Sequence, residues 1–269
     1  MMKKYPIVLS IAGSDCSGGA GIQADIKAIS ATGSYAASAI TAVTVQNTQG
    51  VTAVHPVPLD ILSGQIKAVF EDLSVGAVKI GMLHSSDVVG EVARMLAKFK
   101  AGNVVLDPVM VSTSGHRLIK EDAILSMKDL LLPMASVLTP NIPEAEILCG
   151  MTITCREEME KAARMLSLDG RISVWMKAGH LEEDTLVDVF YYAPKDRFLY
   201  LASKKCLTSN THGTGCTLSS ALASYLAQGY DMEDAAFRAK DYLSRAIISG
   251  AQYKIGHGHG PVNHFWNLP

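Results

Sequence analysis

The sequence predicts an α/β fold in which a mainly parallel sheet is flanked by helices. Short apolar segments alternate with segments whose apolar residues recur every three or four positions. Nearly every apolar segment ends in glycine or polar residues, which is typical of repeated βαβ units. The 269 residues, 48% of them hydrophobic, suffice for one large core, and no linker or repeat interrupts them. We therefore expect a single domain over residues 1–269.

The elements follow one another in a regular order. Five strands buried on both faces are expected at PIVLSIAG, AITAVTVQ, VGAVKIGML, NVVLDPVMV and ASVLTPN. Helices are expected between them at GIQADIKAISATG, LDILSGQIKAVFEDL, SDVVGEVARMLAKFK and EDAILSMKDLLL. After residue 170, RISVWMKAG, TLVDVFYYA and RFLYLASKK are joined by short turns, which predicts antiparallel strands at the sheet edge. Two helices, at about 214–228 and 231–251, close the domain.

Composition excludes several classes of function. The formal net charge is −2 and no run of Lys or Arg is dense enough to follow phosphates, so we expect no nucleic-acid partner. No apolar segment reaches the roughly 20 residues that span a bilayer, and the apolar run after MMKK has the length of a strand. The five scattered cysteines are expected to be reduced thiols. These features indicate a cytoplasmic protein with a small ligand.

In an open α/β sheet, ligands bind at the carboxyl ends of the strands, so the segments after the strands are the candidates for a site. The first, AGSDCSGGAG (12–21), lacks the GxGxxG spacing of a dinucleotide fingerprint. It is either a flexible turn before a helix or a loop whose backbone approaches a ligand. In the second case, Asp25 on the following helix is expected to face the same cleft.

In TPNIPEAE (139–146), prolines fix the chain around Asn141 and direct Glu144 from the start of a helix. Acidic residues there are favourable to the helix dipole on structural grounds alone. Alternatively they serve Mg²⁺, which commonly takes one or two carboxylates and completes its shell with water and phosphate.

Two further strand ends carry charged residues. In MKAGH (176–180), Lys177 is either a solvated strand end or a point charge for a phosphate, and His180 is expected at the surface. In LDPVM (106–110), Asp107 ends an apolar strand, where an unpaired carboxylate would be costly. It is either a structural cap or a support for the metal or the phosphates.

The segment NTHGTGC (210–216) is not a Walker A loop, because the pattern GxxxxGK followed by Ser or Thr is absent. Gly213, Thr214 and Gly215 allow several backbone N–H groups to point into one concavity at a helix N-terminus, which suits an anion. The same helix end is expected to lower the pKa of Cys216 and favour its thiolate. The structural alternative is a tight turn capped by Thr, with a small apolar cysteine.

With these motifs the sequence resembles the ribokinase superfamily, and within it the hydroxymethylpyrimidine/phosphomethylpyrimidine kinases of thiamine biosynthesis. The resemblance covers essentially the whole chain, through AGSDCSGGAGIQADIKAISATG, AVTVQNTQGV, KIGML, VVLDPVM, LTPNIPEAE, MKAGH, NTHGTGCTLSSALA and GHGHGPVNHF. It implies a ribokinase-like three-layer sandwich, usually homodimeric, that uses ATP and Mg²⁺. It also implies phosphorylation of the alcohol of 4-amino-5-hydroxymethyl-2-methylpyrimidine, and then of the resulting monophosphate.

The resemblance also implies roles for individual residues. Cys216 stands where most of the superfamily has an aspartate base, and Lys177 with Gly213, Thr214 and Gly215 completes the catalytic set. The other implied contacts are grouped by ligand: for the pyrimidine Gly13, Ala20, Asp25, Thr44, Gln46, Met82 and Val109; for the nucleotide Asn141, Lys177, Thr211, Gly213 and Gly215; and for the metal Glu144 and Asp107.

Two alternatives compete with this interpretation. A pyridoxal or pyridoxine kinase of the same branch can share the GTGC turn, but Gln46 and Met82 favour the pyrimidine. A binding protein that has lost its chemistry would show damage in the turn, in Lys177 or in the pair of Asn141 and Glu144, and all of these are intact.

Overall fold

The computed structural model describes residues 4–110, 119–179 and 185–267. Within these ranges an eight-stranded sheet forms the centre, in the order β10-β9-β8-β7-β6-β5-β1-β2, and β3 pairs only with β4. The strands are β1 (Ile7–Ala12), β2 (Tyr35–Ile40), β3 (Ala42–Asn47), β4 (Gly50–Pro56), β5 (Val75–Ile80), β6 (Val104–Leu106), β7 (Val137–Leu138), β8 (Ser173–Met176), β9 (Thr185–Tyr192) and β10 (Arg197–Lys204). The helices are α1 (Gly21–Ala31), α2 (Leu59–Asp72), α3 (Ser86–Phe99), α4 (Glu121–Ser126), α5 (Ile142–Cys149), α6 (Arg156–Leu166), α7 (Thr214–Ala227) and α8 (Met232–Gly250).

Two cores, one on each face of the sheet, make three layers. Successive strand residues point to opposite faces. In β8, Val174 and Met176 belong to the core that includes residues of α2 to α6, whereas Trp175 belongs to the core that includes residues of α1, α7 and α8. The predicted three-layer sandwich is confirmed.

The pairing of the strands confirms the mainly parallel sheet and corrects one detail at its edge. Neighbours from β2 to β8 are parallel, and β9 and β10 are antiparallel. The sequence predicted three antiparallel strands after residue 170, but β8 pairs in parallel with β7. The chain reaches β8 through α6, so β8 is the last strand of the βαβ series and the antiparallel edge starts one strand later.

The prediction for AITAVTVQ was wrong. The segment is not one strand buried on both faces, because β2 ends at Ile40 and β3 leaves the sheet to form a hairpin with β4. Val43 and Val45 are 50% and 59% exposed on that hairpin. A two-stranded ribbon has only one covered face, and its apolar residues therefore alternate between buried and exposed.

None of the helices within the described ranges is long and apolar enough to cross a membrane. The helix that matters most for the site is α7, whose residues from Thr217 to Ser224 are all buried between the sheet and its neighbouring helices. Its N-terminus points to the edge of the sheet where the parallel strands end.

Candidate active site

A cavity of about 680 Å³ lies at the carboxyl ends of the parallel strands. Gly13 follows β1, Met82 follows β5, Asp107 follows β6, Asn141 follows β7 and Lys177 follows β8, and all five line it. The sequence predicted this convergence, because parallel strands present their carboxyl ends at one edge. The N-terminus of α7 closes one side, with Thr211, Gly213, Thr214, Gly215 and Cys216 on the cavity wall.

Two glycines shape the turn before α7. Gly213 has a φ of +77°, and a Cβ on it would overlap the carbonyl oxygen of Gly19. A Cβ on Gly215 would lie 3.3 Å from Nζ of Lys177, so this glycine lets the helix backbone approach the ammonium group.

The N–H groups of this turn are not all free for a ligand. Thr214 donates its N–H to the carbonyl of Thr211 at 3.3 Å. In the part of the chain that the structure describes, no hydrogen bond occupies the N–H groups of Gly215 and Cys216. A helix N-terminus with two free N–H groups is a suitable site for an anion.

Lys177 lies between two carboxylates at the same end of the cavity. Its Nζ donates to Oδ1 of Asp107 at 2.9 Å and lies 3.9 Å from Oε2 of Glu144. Burial opposes the charge, but Asp107 and Glu144 outweigh it and raise the pKa of Lys177 above its ordinary value. Lys177 is therefore an ammonium with 15% of its side chain exposed to the cavity, and not a solvated strand end.

Asp107 accepts hydrogen bonds from three elements of the fold. Its Oδ1 accepts from Lys177 and from Thr139 at 3.2 Å, and its Oδ2 accepts from Ser219 of α7 at 3.1 Å. Burial disfavours the carboxylate, but Lys177 and Lys79 more than compensate and hold its pKa below the usual range. Asp107 therefore anchors Lys177 and α7, and its predicted contact with the metal stays a prediction.

Asn141 and Glu144 form a capping box at the start of α5. Glu144 accepts from the N–H of Asn141 at 2.9 Å, and the Asn141 side chain accepts from the N–H of Glu144 at 2.8 Å. Burial raises the pKa of Glu144 to about 7. No cluster of three His, Cys, Asp or Glu side chains suited to a metal occurs among the described residues. Glu144 lines the cavity, and a single carboxylate there fits an ion that keeps water in most of its shell.

A second group of cavity-lining residues carries no charge and is called the acceptor end below. These residues are the ones that the resemblance assigns to the pyrimidine, apart from Asp25: Gly13, Ala20, Thr44, Gln46, Met82 and Val109. A Cβ on Gly13 would lie 2.5 Å from Cε of Met82, so the methionine packs directly on the glycine backbone. The Thr44 hydroxyl lies 2.7 Å from the carbonyl oxygen of Ser14 and 3.2 Å from Oε1 of Gln46. Thr44 thus fixes β3 against the loop after β1 and orients the Gln46 amide.

The prediction that Asp25 faces the cleft is wrong. Its side chain has no exposed surface, and both oxygens accept from Nζ of Lys79, at 2.8 and 2.9 Å. Ser10 and Ser220 donate to the same carboxylate. Asp25 lies on the buried face of α1, so it cannot contact a substrate directly.

Asp15 and His212 line the cavity between its two ends and were not among the predicted site residues. Nε2 of His212 lies 2.8 Å from Oδ2 of Asp15, and the N–H groups of Gly19 and Ala20 donate to the same oxygen. Burial disfavours the charge, but the hydrogen bonds from His212, Ser17 and Ala20 lower the pKa of Asp15 to about 2. The ionised Asp15 holds the glycine-rich loop in shape, and its place within that loop was the only signal in the sequence.

Cys216 lies on the cavity wall, but its ionisation was predicted with the wrong sign. Burial raises the pKa of its thiol to about 11; Lys79 opposes this rise, while Asp25 and Asp107 add to it. The positive helix end does not overcome the loss of water around the sulfur. His180 lies outside the described residues.

Comparison with known proteins identifies relatives over the whole chain. The family model described as phosphomethylpyrimidine kinase matches residues 15–263. The hydroxymethylpyrimidine/phosphomethylpyrimidine kinase of Rhizobium meliloti is 47% identical over 260 residues, which cover 96% of this chain and 97% of the relative. The thiamine biosynthesis bifunctional protein ThiED of Geobacter sulfurreducens is 46% identical over 96% of this chain, and the chain spans about half of that protein (52%).

A solved structure shares the fold closely. The pyridoxal kinase from Staphylococcus aureus, in complex with AMP-PCP and pyridoxal, superposes with a TM-score of 0.89. The two chains are 32% identical, and the match covers 99% of this chain and 96% of the kinase. The ribokinase-like fold and the resemblance to pyrimidine kinases are both confirmed.

Proposed function

Because the chain belongs to the phosphomethylpyrimidine kinase family, we propose that it transfers phosphate from ATP to 4-amino-5-hydroxymethyl-2-methylpyrimidine and then to the monophosphate. The observation that carries the proposal is the division of one cavity between a cationic end and a neutral end. Lys177 and the free N–H groups of α7 suit the phosphates of ATP, and Gln46 with Met82 suits a flat amino-pyrimidine.

In the first transfer, the alcohol oxygen attacks the γ-phosphorus, and the bond to the β,γ-bridging oxygen breaks as ADP leaves. The alcohol proton moves to the sulfur of Cys216, which must be a thiolate at that moment. The N–H groups of Gly215 and Cys216 donate to the transferring group, and Lys177 neutralises charge on the nucleotide phosphates.

The second transfer differs in its proton requirement. The nucleophile is now an oxygen of a phosphate monoester, whose second pKa is about 6. It is therefore largely deprotonated at pH 7 and needs no base. One site can serve both transfers if the cationic end is shared and Cys216 is needed only for the first.

For Mg²⁺, we propose Glu144 as the residue that holds the ion through water. The support is its position on the cavity wall, at the same end as Lys177. When bound, the ion would neutralise charge on the nucleotide phosphates.

Turnover by the purified protein tests the proposal directly. Hydroxymethylpyrimidine, its monophosphate and pyridoxal are compared as acceptors with ATP, and ADP release and the phosphorylated products are measured. We expect both pyrimidines to be phosphorylated with a higher kcat/KM than pyridoxal. A clear preference for pyridoxal would replace the pyrimidine as the substrate, and the TM-score of 0.89 to a pyridoxal kinase makes this comparison essential.

We also propose that the protein is a cytoplasmic homodimer. All five cysteines are free thiols, as a reducing compartment requires. The hairpin of β3 and β4 carries three exposed valines, Val43, Val45 and Val54, which offer an apolar surface to a second copy. Light scattering should give twice the mass of the chain, and Val45→Glu should lower it to one chain. A monomeric wild-type protein would exclude the dimer.

A further inference from the structure

A second buried Lys–Asp pair lies beside the site, and neither transfer described above uses it. Lys79 at the end of β5 and Asp25 of α1 have no exposed side-chain surface. A Cβ on Gly81 would lie 2.8 Å from Nζ of Lys79, so this glycine leaves room for the ammonium just before the cavity-lining Met82. Substrate cannot reach either charge.

The pair is attached to the helix that carries Cys216. Ser220 of α7 donates to Oδ1 of Asp25 at 2.8 Å, and Ser10 of β1 donates to Oδ2 at 2.6 Å. Ser220 follows Cys216 by four positions and therefore lies on the same face of the helix, one turn further on. The position of Cys216 is thus linked to the Lys79–Asp25 pair through one turn of α7.

The neighbouring serine makes a parallel arrangement on the other side. Ser219 donates to Asp107, which holds Lys177. Two Lys–Asp–Ser sets therefore anchor the first turns of α7, and only the set with Lys177 contacts the cavity. In the other set, the ammonium of Lys79 is paired with Asp25, and neither residue lines the cavity.

Stability alone does not account for this pair. Apolar side chains of similar volume are often as stabilising as a buried ion pair, because both charges must be removed from water. Inside a protein, however, a fixed charge acts over a longer distance than it does in water. The charge of Lys79 would therefore act on the groups at the start of α7.

We propose that Lys79, held by Asp25 and Ser220, is the positioning residue for the proton acceptor of the first transfer: its charge favours the thiolate of Cys216. The proposal rests on the proposed function and names a residue that acts through Cys216 without touching substrate. The thiol loses its proton to solvent, and the thiolate then takes the proton of the alcohol. The thiol releases that proton to solvent after ADP leaves, so the protons balance over one turnover.

The charged groups around Cys216 come from four parts of the fold. Lys79 lies on β5, Asp25 on α1, Asp107 after β6 and Lys177 after β8. Burial raises the pKa of Cys216, and the strongest opposing influence is Lys79, which outweighs Asp25. Removing the pair as a whole should therefore leave the thiolate less favoured.

The test uses two variants, Lys79→Met and the paired K79M/D25N. The single variant leaves a buried carboxylate without its cation and is expected to be less stable. The paired variant removes both charges and keeps an amide oxygen for Ser10 and Ser220, so it guards against loss of the fold. The rate constant for alkylation of Cys216 by iodoacetamide at pH 8 is followed by peptide mass spectrometry, which separates it from the other four cysteines.

We expect alkylation of Cys216 to slow about tenfold in Lys79→Met, since one pKa unit is a factor of ten in thiolate, and to slow by a smaller factor in the paired variant, which also removes the opposing charge of Asp25. The kcat/KM of the first transfer should fall by the same factors. The second transfer, which needs no base, should stay within about twofold in the paired variant. Ser224→Ala is the matched control, because it removes a buried serine of α7 that bonds only outside the charged sets.

Unchanged alkylation in the paired variant would overturn the proposal, as would an equal loss of both transfers without a change in alkylation. Such a result would mean that the pair is merely structural. If the protein phosphorylates no pyrimidine at all, the proposed function fails instead. The alkylation comparison needs no substrate and still decides the role of Lys79.

Discussion

The phosphate end and the acceptor end of the cavity are built differently, although ATP and its acceptor must meet between them. The phosphate end consists of strand ends and a helix N-terminus, with Lys177 fixed between Asp107 and Glu144. The acceptor end consists of backbone, hydroxyl, amide and apolar groups, and part of it lies on β3, outside the main sheet. The charges thus lie at the ends of the central parallel strands, whereas two of the recognition groups, Thr44 and Gln46, lie on the hairpin of β3 and β4.

This difference indicates a division of tasks. A phosphoryl group needs fixed charge, which a buried network on parallel strand ends supplies without rearrangement. An aromatic acceptor needs shape and a few oriented hydrogen bonds, which can vary without loss of the charged network. Substitutions at the two ends should therefore affect different kinetic constants, and variants at each end can break or sharpen that separation.

The largest effect is expected at the boundary between the two ends. Cys216→Ala should lower kcat for the first transfer by about 10²- to 10⁴-fold, the usual contribution of a general base. It should lower the second transfer much less, because the phosphate acceptor is already ionised. The two transfers are measured separately, starting from the alcohol and from the monophosphate. Equal losses in both would remove Cys216 from the role of base.

Loss of charge at the phosphate end should affect both transfers alike. Lys177→Met should lower kcat by about 10²- to 10³-fold for either acceptor, as for loss of one group that stabilises transition-state charge. The KM of the pyrimidine should hardly change. Lys67→Met, which removes an exposed lysine paired with Glu71, is the control and should leave both rates intact. A selective loss of only one transfer would contradict the shared phosphate end.

At the acceptor end, Gln46→Leu should raise the KM of the pyrimidine about 10- to 100-fold and leave the KM of ATP unchanged. This rise corresponds to about 1–3 kcal/mol for unpaired hydrogen-bonding groups. Steady-state kinetics with each substrate varied in turn give both constants. An equal rise in the KM of ATP would show that the two ends are not independent.

The smallest effect concerns stability and pH. Glutamate ionises near its ordinary pKa of 4.5 in the unfolded chain, but burial raises the pKa of Glu144 to about 7 in the fold. Between pH 4.5 and about 7 the folded state binds more protons than the unfolded state. The stability that the protonated Glu144 contributes below pH 4.5 is therefore lost as the pH rises through about 7. Glu144→Gln keeps the capping box, and because glutamine does not ionise, the variant does not lose stability as the pH rises.

Thermal unfolding without nucleotide or metal measures the difference. Glu144→Gln and wild type should melt together at pH 5, and the variant should melt about 2–4 °C higher at pH 8. A constant difference at all pH values would show that Glu144 does not titrate between them. The comparison separates the effect of the Glu144 charge on stability from the effect of its capping hydrogen bonds.

Much of the site could be predicted because its residues follow strands. Lys177, Asn141 and Gly213 come after recognisable elements, and the parallel order brings them together. Asp25 could not be placed in this way, because helical spacing gives a face but not the neighbour that the face packs against. Asp15 and His212 carry no distinctive spacing, and only their contact in space reveals them.

By itself, the sequence determined the alternation of strands and helices, the glycines of the turn before α7 and the family of the chain. Periodicity and turn chemistry act over a few residues, so they can be recognised locally. Only the tertiary structure decided that Asp107 anchors a lysine, that Asp25 is sealed inside with Lys79, and that burial raises the pKa of Cys216. Water exclusion and the position of distant charges control ionisation, and both depend on how the whole chain packs.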